Sequence, residues 1–247
     1  MQLLVSVRSA AEASAAIAGG ADIIDAKEPD AGALGAVSLD VLREVRVVVA
    51  SKRPLSAAIG DAADEAAIER TAHAFAAAGA RFVKVGFAGI ASAKRIAALA
   101  AAAQRGVDAG GAGRSAVVLV AYADADNPAG VARDALVDIA ARTGARGVLL
   151  DTADKSGWGL RALIDPDALA AWVARAHARG LIAALAGTLA ADDLPFVRET
   201  GADIAGVRGA ACEGGRTGRV TAERVAALAR RNHEDTKQHE EHEEETL

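Results

Sequence analysis

Three lysines stand where amine chemistry would need them. Lys155 closes Asp151-Thr152-Ala153-Asp154-Lys155, directly after the strand-forming run Gly147-Val148-Leu149-Leu150. Lys27 ends Asp22-Ile23-Ile24-Asp25-Ala26-Lys27, and Lys84 lies inside Phe82-Val83-Lys84-Val85-Gly86. Arginine supplies most of the positive charge, so lysine within apolar strand-like runs is a selective placement. One lysine ending a strand is ordinarily a side chain that snorkels to the surface. Three, accompanied by an aspartate, are harder to explain that way. Clustered ammonium groups depress one another's pKa, which leaves one amine neutral enough to attack a carbonyl. They also attract phosphate, and a carboxylate beside them can exchange protons. Lys27, Lys84, Asp151 and Lys155 are therefore the catalytic candidates, in the pattern of a Schiff-base enzyme acting on a sugar phosphate. Asp25 is either a second acid or a structural partner of Lys27, and joins the substrate-binding candidates.

Such residues must be brought together by the elements that carry them. Apolar strand-like runs occur at 3–7, 22–27, 54–60, 82–87, 116–123, 147–152, 181–186 and 203–208. Between and after them lie Ala-rich stretches of helical periodicity, near 9–18, 38–49, 64–78, 91–106, 129–143, 166–179, 190–200 and 221–231. Several helices end in the same turn, as in Ala78-Gly79-Ala80-Arg81 and Thr143-Gly144-Ala145-Arg146, where glycine is the expected C-cap. Eight strand–helix pairs predict one (β/α)8 TIM barrel, an α/β fold whose strand ends converge on a single mouth. The loops after strands seven and eight of such barrels often hold phosphate on helix N-terminal N–H groups. Gly187 and Thr188, and Arg208, Gly209 and Ala210, are the phosphate-binding candidates on that ground. A further glycine-bearing mouth loop runs from Asp30 to Gly35. The Gly-rich segment from Asp108 to Arg114 follows a helix and precedes a strand, so it is expected to be a flexible loop on the opposite face.

At 247 residues and 52% hydrophobic content the chain has ample core for one domain, built mostly from Ala, Val, Leu and Ile because aromatics are only 3%. The net charge of −5 offers no general attraction to nucleic acid or an anionic membrane. The single cysteine, Cys212, excludes an intrachain disulfide, fits a reducing cytosol and reads as a small buried hydrophobe. No apolar run approaches the length of a membrane span, and the N-terminus lacks a signal-peptide pattern. The expectation is a cytoplasmic protein with a barrel domain over 1–231 and a disordered acidic tail over 232–247. His239 and His242 in that tail lack an evident third metal ligand, and no metal is expected. His73 and His177 fall mid-helix and read as surface or packing residues.

The motifs Gly-Ala-Asp-Ile-Ile-Asp-Ala-Lys-Glu-Pro at 20–29, Val-Lys-Val-Gly at 83–86, Leu-Asp-Thr-Ala-Asp-Lys-Ser-Gly at 150–157, Ala-Leu-Ala-Gly-Thr-Leu at 184–189 and Gly-Val-Arg-Gly-Ala-Ala-Cys at 206–212 resemble those of the (5-formylfuran-3-yl)methyl phosphate synthase family. The likeness runs from residue 1 to about 230. It implies condensation of two glyceraldehyde 3-phosphate molecules to 4-(hydroxymethyl)-2-furancarboxaldehyde phosphate, with loss of phosphate and water, for methanofuran-type carriers. It places the family's active-site residues on Lys27, Lys84, Asp151 and Lys155, and implies Lys27 as the Schiff-base lysine and no cofactor. The partners expected are the phosphorylated triose and further copies of the chain in a homo-oligomer. Two other readings stay open: a class I aldolase-like barrel for a different sugar phosphate, and a non-catalytic phosphate-binding barrel.

Overall fold

Alternation along eight short strands builds the structure. The computed structural model describes residues 1–124 and 133–232. The start of the fifth expected helix and the acidic segment 233–247, with His239 and His242, lie outside the described residues. The strands are β1 (Gln2–Val7), β2 (Ile23–Ala26), β3 (Leu55–Asp61), β4 (Phe82–Gly86), β5 (Ala116–Tyr122), β6 (Gly147–Asp151), β7 (Ile182–Leu185) and β8 (Ile204–Val207). They pair in parallel in chain order, and β8 closes on β1. The helices that return the chain are α1 (Ala10–Ala18), α2 (Leu39–Val49), α3 (Glu65–Ala77), α4 (Ala93–Gly111), α5 (Arg133–Thr143), the short α6 (Leu160–Leu163), α7 (Pro166–Ala178) and α8 (Leu194–Glu199). A last helix covers 222–232. The expected (β/α)8 barrel is the fold.

Two cores result from the two-residue period of the strands. Leu3, Val5, Val7, Ile24 and Ala26 point outward and are buried against the helices. Leu4, Ile23, Ala58, Val120, Leu149, Ala184 and Ile204 fill the barrel interior. Polar residues in the same inward rows, such as Ser6, Asp25, Ser56, Lys84 and Asp151, are buried above that layer. Helix starts are fixed by the side-chain caps that the sequence provides: Ser38, Asp64 and Ser92 each accept from the N–H three residues on. Helix ends use the expected glycine turns. Gly79 at φ 97 and Gly144 at φ 77 lie in the left-handed region, where a Cβ would be strained.

The structure corrects the reading of the Asp108–Arg114 segment. Asp108 to Gly111 are helical, the last turn of the 19-residue α4. The glycines there serve packing. A Cβ on Gly106 would come within 2.2 Å of the Glu69 carbonyl oxygen, and one on Gly110 within 2.3 Å of that of His73. These glycines let α4 lie directly on the backbone of α3, and only the turn 112–115 remains as loop. Two features had no sequence signal: α6, and a hairpin of β9 (Cys212–Glu213) and β10 (Arg219–Val220) after β8. At the chain's other end Asn232 is buried; its side chain donates to the Met1 carbonyl at 2.9 Å and its own carbonyl accepts from Arg198 at 2.6 Å. Asn232 thus packs with the barrel.

Candidate active site

A cavity of about 280 Å³ runs from the barrel interior, beside Leu4, Ile23 and Leu149, to the C-terminal mouth of the strands, where it is lined by Lys27, Lys84, Asp151 and Lys155. Their convergence follows from strand phase. Asp25 precedes Lys27 by two residues and so points inward with it; β2 is registered so that Asp25 sits beside Ser6 of β1 and Ser56 of β3. Lys84 pairs with Ala58 on the next strand and points the same way. Asp151 ends β6, opposite Tyr122 of β5. Lys155 returns from the following loop to the same carboxylate.

The three amines have different partners. Lys84 Nζ donates to Asp25 Oδ2 at 2.7 Å, with both side chains buried, and Ser6 Oγ donates to the same oxygen at 2.8 Å. Lys155 Nζ donates to Asp151 Oδ1 at 2.5 Å and to Thr152 Oγ1 at 3.2 Å, while the Thr152 N–H donates to Asp151 Oδ1 at 2.8 Å. Lys27 Nζ makes no hydrogen bond or ion pair among the described residues, although Lys27 is only 7% exposed. Asp25 therefore pairs with Lys84, not Lys27, because Lys84 reaches it over the intervening β3.

Electrostatics separate the amines further. Burial is the main reason the Lys27 ammonium is pushed down from 10.5 to about 8; Lys84 and Lys155 add repulsion, and Asp151 and Asp25 oppose it. Burial alone would raise the Asp151 carboxyl. Lys155 and Lys27, with the hydrogen bonds from Lys155 and the Thr152 N–H, hold it below the usual value. A carboxylate charged at neutral pH thus lies near an amine that readily gives up its proton. Beside them Tyr122 donates to Asp61 at 3.0 Å, and burial followed by the Asp61 charge pushes the phenol well up, so it stays protonated. Gly86 makes room for that pair: a Cβ there would fall 2.2 Å from Asp61 Oδ1 and 2.8 Å from Tyr122 Oη.

The phosphate candidates Gly187, Thr188, Gly209, Ala210 and Arg208 all line the cavity. Gly187 at φ 111 and Thr188 at φ 53 form a left-handed turn, and for a β-branched residue that conformation costs about 1–3 kcal/mol. Strain of that kind at a cavity wall is characteristic of functional turns. Gly209 and Ala210 open a single 3-10 turn. Arg208 differs from the other four. It is 5% exposed, and its guanidinium bonds Glu12, the Ser6 carbonyl and the carbonyls of Arg216 and Gly218. Those bonds make it a brace beneath the mouth. Ser6, Ser56, Thr152, the Tyr122–Asp61 pair and Arg216 were not singled out from sequence. The serines were detectable in principle, since they share strand phase with the lysines' tier.

The sequence model described as 4-HFC-P synthase covers residues 3–229, the whole barrel except its outermost residues. This chain belongs to the 4-HFC-P synthase family. It is 38% identical over 234 residues to the (5-formylfuran-3-yl)methyl phosphate synthase of Methanocaldococcus jannaschii, covering 92% of this chain and 98% of that one. The Methanopyrus kandleri protein of the same name is 38% identical over 215 residues, with 87% and 90% covered. Among solved structures, 3-hexulose-6-phosphate synthase superposes with a TM-score of 0.60 at 23% identity, covering 92% of this chain and 99% of that one. KGPDC from Streptococcus mutans gives 0.64 at 15%, with 94% and 96% covered. At those identities the two structures share the fold with this family member. Among the described residues no helix is long and apolar enough to cross a membrane.

Proposed function

We propose that this protein condenses two molecules of glyceraldehyde 3-phosphate to (5-formylfuran-3-yl)methyl phosphate through an imine on Lys27. The observation that carries the reading is the division among the lysines. Two are salt-bridged to aspartates, and the third is buried, without an ion pair among the described residues, and lowered to about 8. Only an unprotonated amine attacks an aldehyde carbon. Its nitrogen forms the C–N bond, the carbonyl oxygen takes protons and leaves as water, and the protonated imine acidifies the adjacent carbon. Removal of that carbon's proton gives an enamine. The enamine either expels its β-phosphate or attacks the aldehyde of the second triose phosphate. Ring closure and dehydration then give the aromatic furan, whose stability drives the sequence forward.

Asp151, the charge that acts most on Lys27, forms one acid–base pair with Lys155, and Lys84 with Asp25 supplies a second. The loop residues Gly187, Thr188, Gly209 and Ala210 hold a substrate phosphate, and Arg208 keeps their loop in place. Relatives that carry the furan synthase name over nearly this whole length support the choice of reaction over other Schiff-base barrels. The chemistry needs no organic cofactor or metal. The protein is expected to act in the cytoplasm, in the biosynthesis of a methanofuran-type carrier.

The test is incubation of the purified protein with glyceraldehyde 3-phosphate alone. A product with the mass of two triose phosphates less one phosphoric acid and the waters of dehydration, absorbing in the near ultraviolet, is expected. Borohydride added during turnover should leave a reduced adduct on Lys27. An aldol product without dehydration would replace this reading with that of a class I aldolase.

A further inference from the structure

Arg216 sits at the tip of the β9–β10 hairpin, a segment that no sequence motif marked. Gly214, Gly215 and Gly218 surround it, the first two at φ 83 and φ 78. A Cβ on Gly218 would fall 1.9 Å from the Glu213 carbonyl oxygen, so the tip is folded too tightly for a side chain there. Its base is anchored: the Arg216 carbonyl accepts from Arg208 Nε at 2.8 Å, and Arg208 is in turn held by buried Glu12 at 2.9 Å. From this footing the guanidinium reaches over the mouth toward the loop after β2. There it donates to the carbonyls of Pro29 at 2.5 Å and Gly32 at 2.8 Å.

What this cation lacks among the described residues is an anion. Asp151, Asp30 and Glu28 are near enough to act on it through space, but none forms an ion pair with it among the described residues. Each of those carboxylates is already taken. Arg8 holds Asp30 at 2.9 Å and lies 3.8 Å from Glu28, and Lys155 holds Asp151. Arg216 is partly buried and lines the same cavity as Lys27 and Asp151. Burial, and then Arg208, draw its pKa down, as expected for a cation with only neutral acceptors. An arginine so placed presents a fork of donors matched to phosphate oxygens.

We propose that Arg216 is an anion site for a phosphate monoester, on the β2 side of Lys27, and that it seats the phosphate of the second triose. The assignment to the second triose rests on the proposed condensation, which brings two phosphates into one cavity. The Gly187–Thr188 and Gly209–Ala210 loops serve one phosphate, and a second of like charge needs its own partner. The existence of the anion site does not depend on that reading. Inorganic phosphate, which the condensation would release, has the same recognition chemistry and serves as the probe.

The experiment compares the full chain with Arg216→Gln and Arg216→Lys. Inorganic phosphate is titrated calorimetrically, and Arg216→Gln should weaken one of two binding events about tenfold while Arg216→Lys, which keeps the charge, loses much less. Unchanged phosphate binding in Arg216→Gln would overturn the proposal. Equal losses in both variants would also overturn it, since they would mark the residue as a loop clamp through Pro29 and Gly32. Should Arg216→Gln fail to fold, phenylglyoxal labelling of the unaltered protein decides: phosphate should protect Arg216, and equal labelling with and without phosphate refutes the site.

A second arm assigns the occupant. Borohydride trapping of the first triose on Lys27 should be unaffected in Arg216→Gln, while the triose concentration for half-maximal furan formation rises about tenfold. A parallel loss of trapping would refute the second-substrate assignment. A protein that binds phosphate through Arg216 yet forms no furan would sink the condensation reading and leave the anion site standing.

Discussion

Trapping of an aldehyde by Lys27 should follow the ionisation of one buried amine. With its pKa lowered from 10.5 to about 8, roughly a tenth of the Lys27 side chains are neutral at pH 7, against about one in three thousand for an unperturbed lysine. The environment thus multiplies the reactive form about 300-fold. The rate of borohydride trapping at low triose concentration should rise about tenfold per pH unit below pH 7 and level off above the inflection near 8. The neighbours give the signs for two variants. Lys84→Met removes a repelling cation and leaves Asp25 uncompensated, so the inflection should move to higher pH. Asp151→Asn removes the carboxylate that most favours the ammonium form, so the inflection should move lower even while turnover falls. Stopped-flow mixing followed by mass mapping of the reduced adduct measures all three. A rate flat from pH 6 to pH 9, or an inflection near the unperturbed value in the unaltered protein, would refute the reasoning.

The same shift has a consequence for stability. Because the folded chain binds fewer protons than the unfolded one between about pH 8 and 10.5, stability should rise with pH across that window; below pH 8 the burial penalty is fully present. Lys27→Met should therefore stabilise the fold at pH 7 by about 1–3 kcal/mol, less than the full shift because the new side chain does not repack the site perfectly; a lower melting temperature would contradict this. Arg208→Met leaves Glu12 buried without its partner and should cost about 3–5 kcal/mol in denaturant unfolding, with loss of turnover from a displaced mouth loop. Gly106→Ala gains helix propensity of about 1 kcal/mol but drives a methyl against the Glu69 carbonyl, which costs about 1–3 kcal/mol, so thermal unfolding should show net destabilisation.

Strand–helix alternation, the glycine turns after helices and the strand phase of Lys27, Lys84 and Asp151 were all legible in the sequence. They depend on local backbone geometry and on a two-residue period that the order of side chains alone reveals. The same local logic failed at Gly106 and Gly110. A glycine-rich stretch reads as loop unless one knows that the backbone of α3 lies against it. Pairing within the site was likewise undetermined. Asp25 stands two residues from Lys27, yet it bonds Lys84, brought from 59 positions away by the side-by-side pairing of β2, β3 and β4. Whether Arg208 faces a ligand or Glu12, and whether Arg216 reaches the mouth at all, depends on contacts spanning the two ends of the chain. The sequence by itself determined which residues would stand on the inner face of each strand. Only the closed barrel decided which of them are paired, and so which lysine is left as a buried amine that can lose its proton, because burial and through-space charge are properties of the assembled mouth.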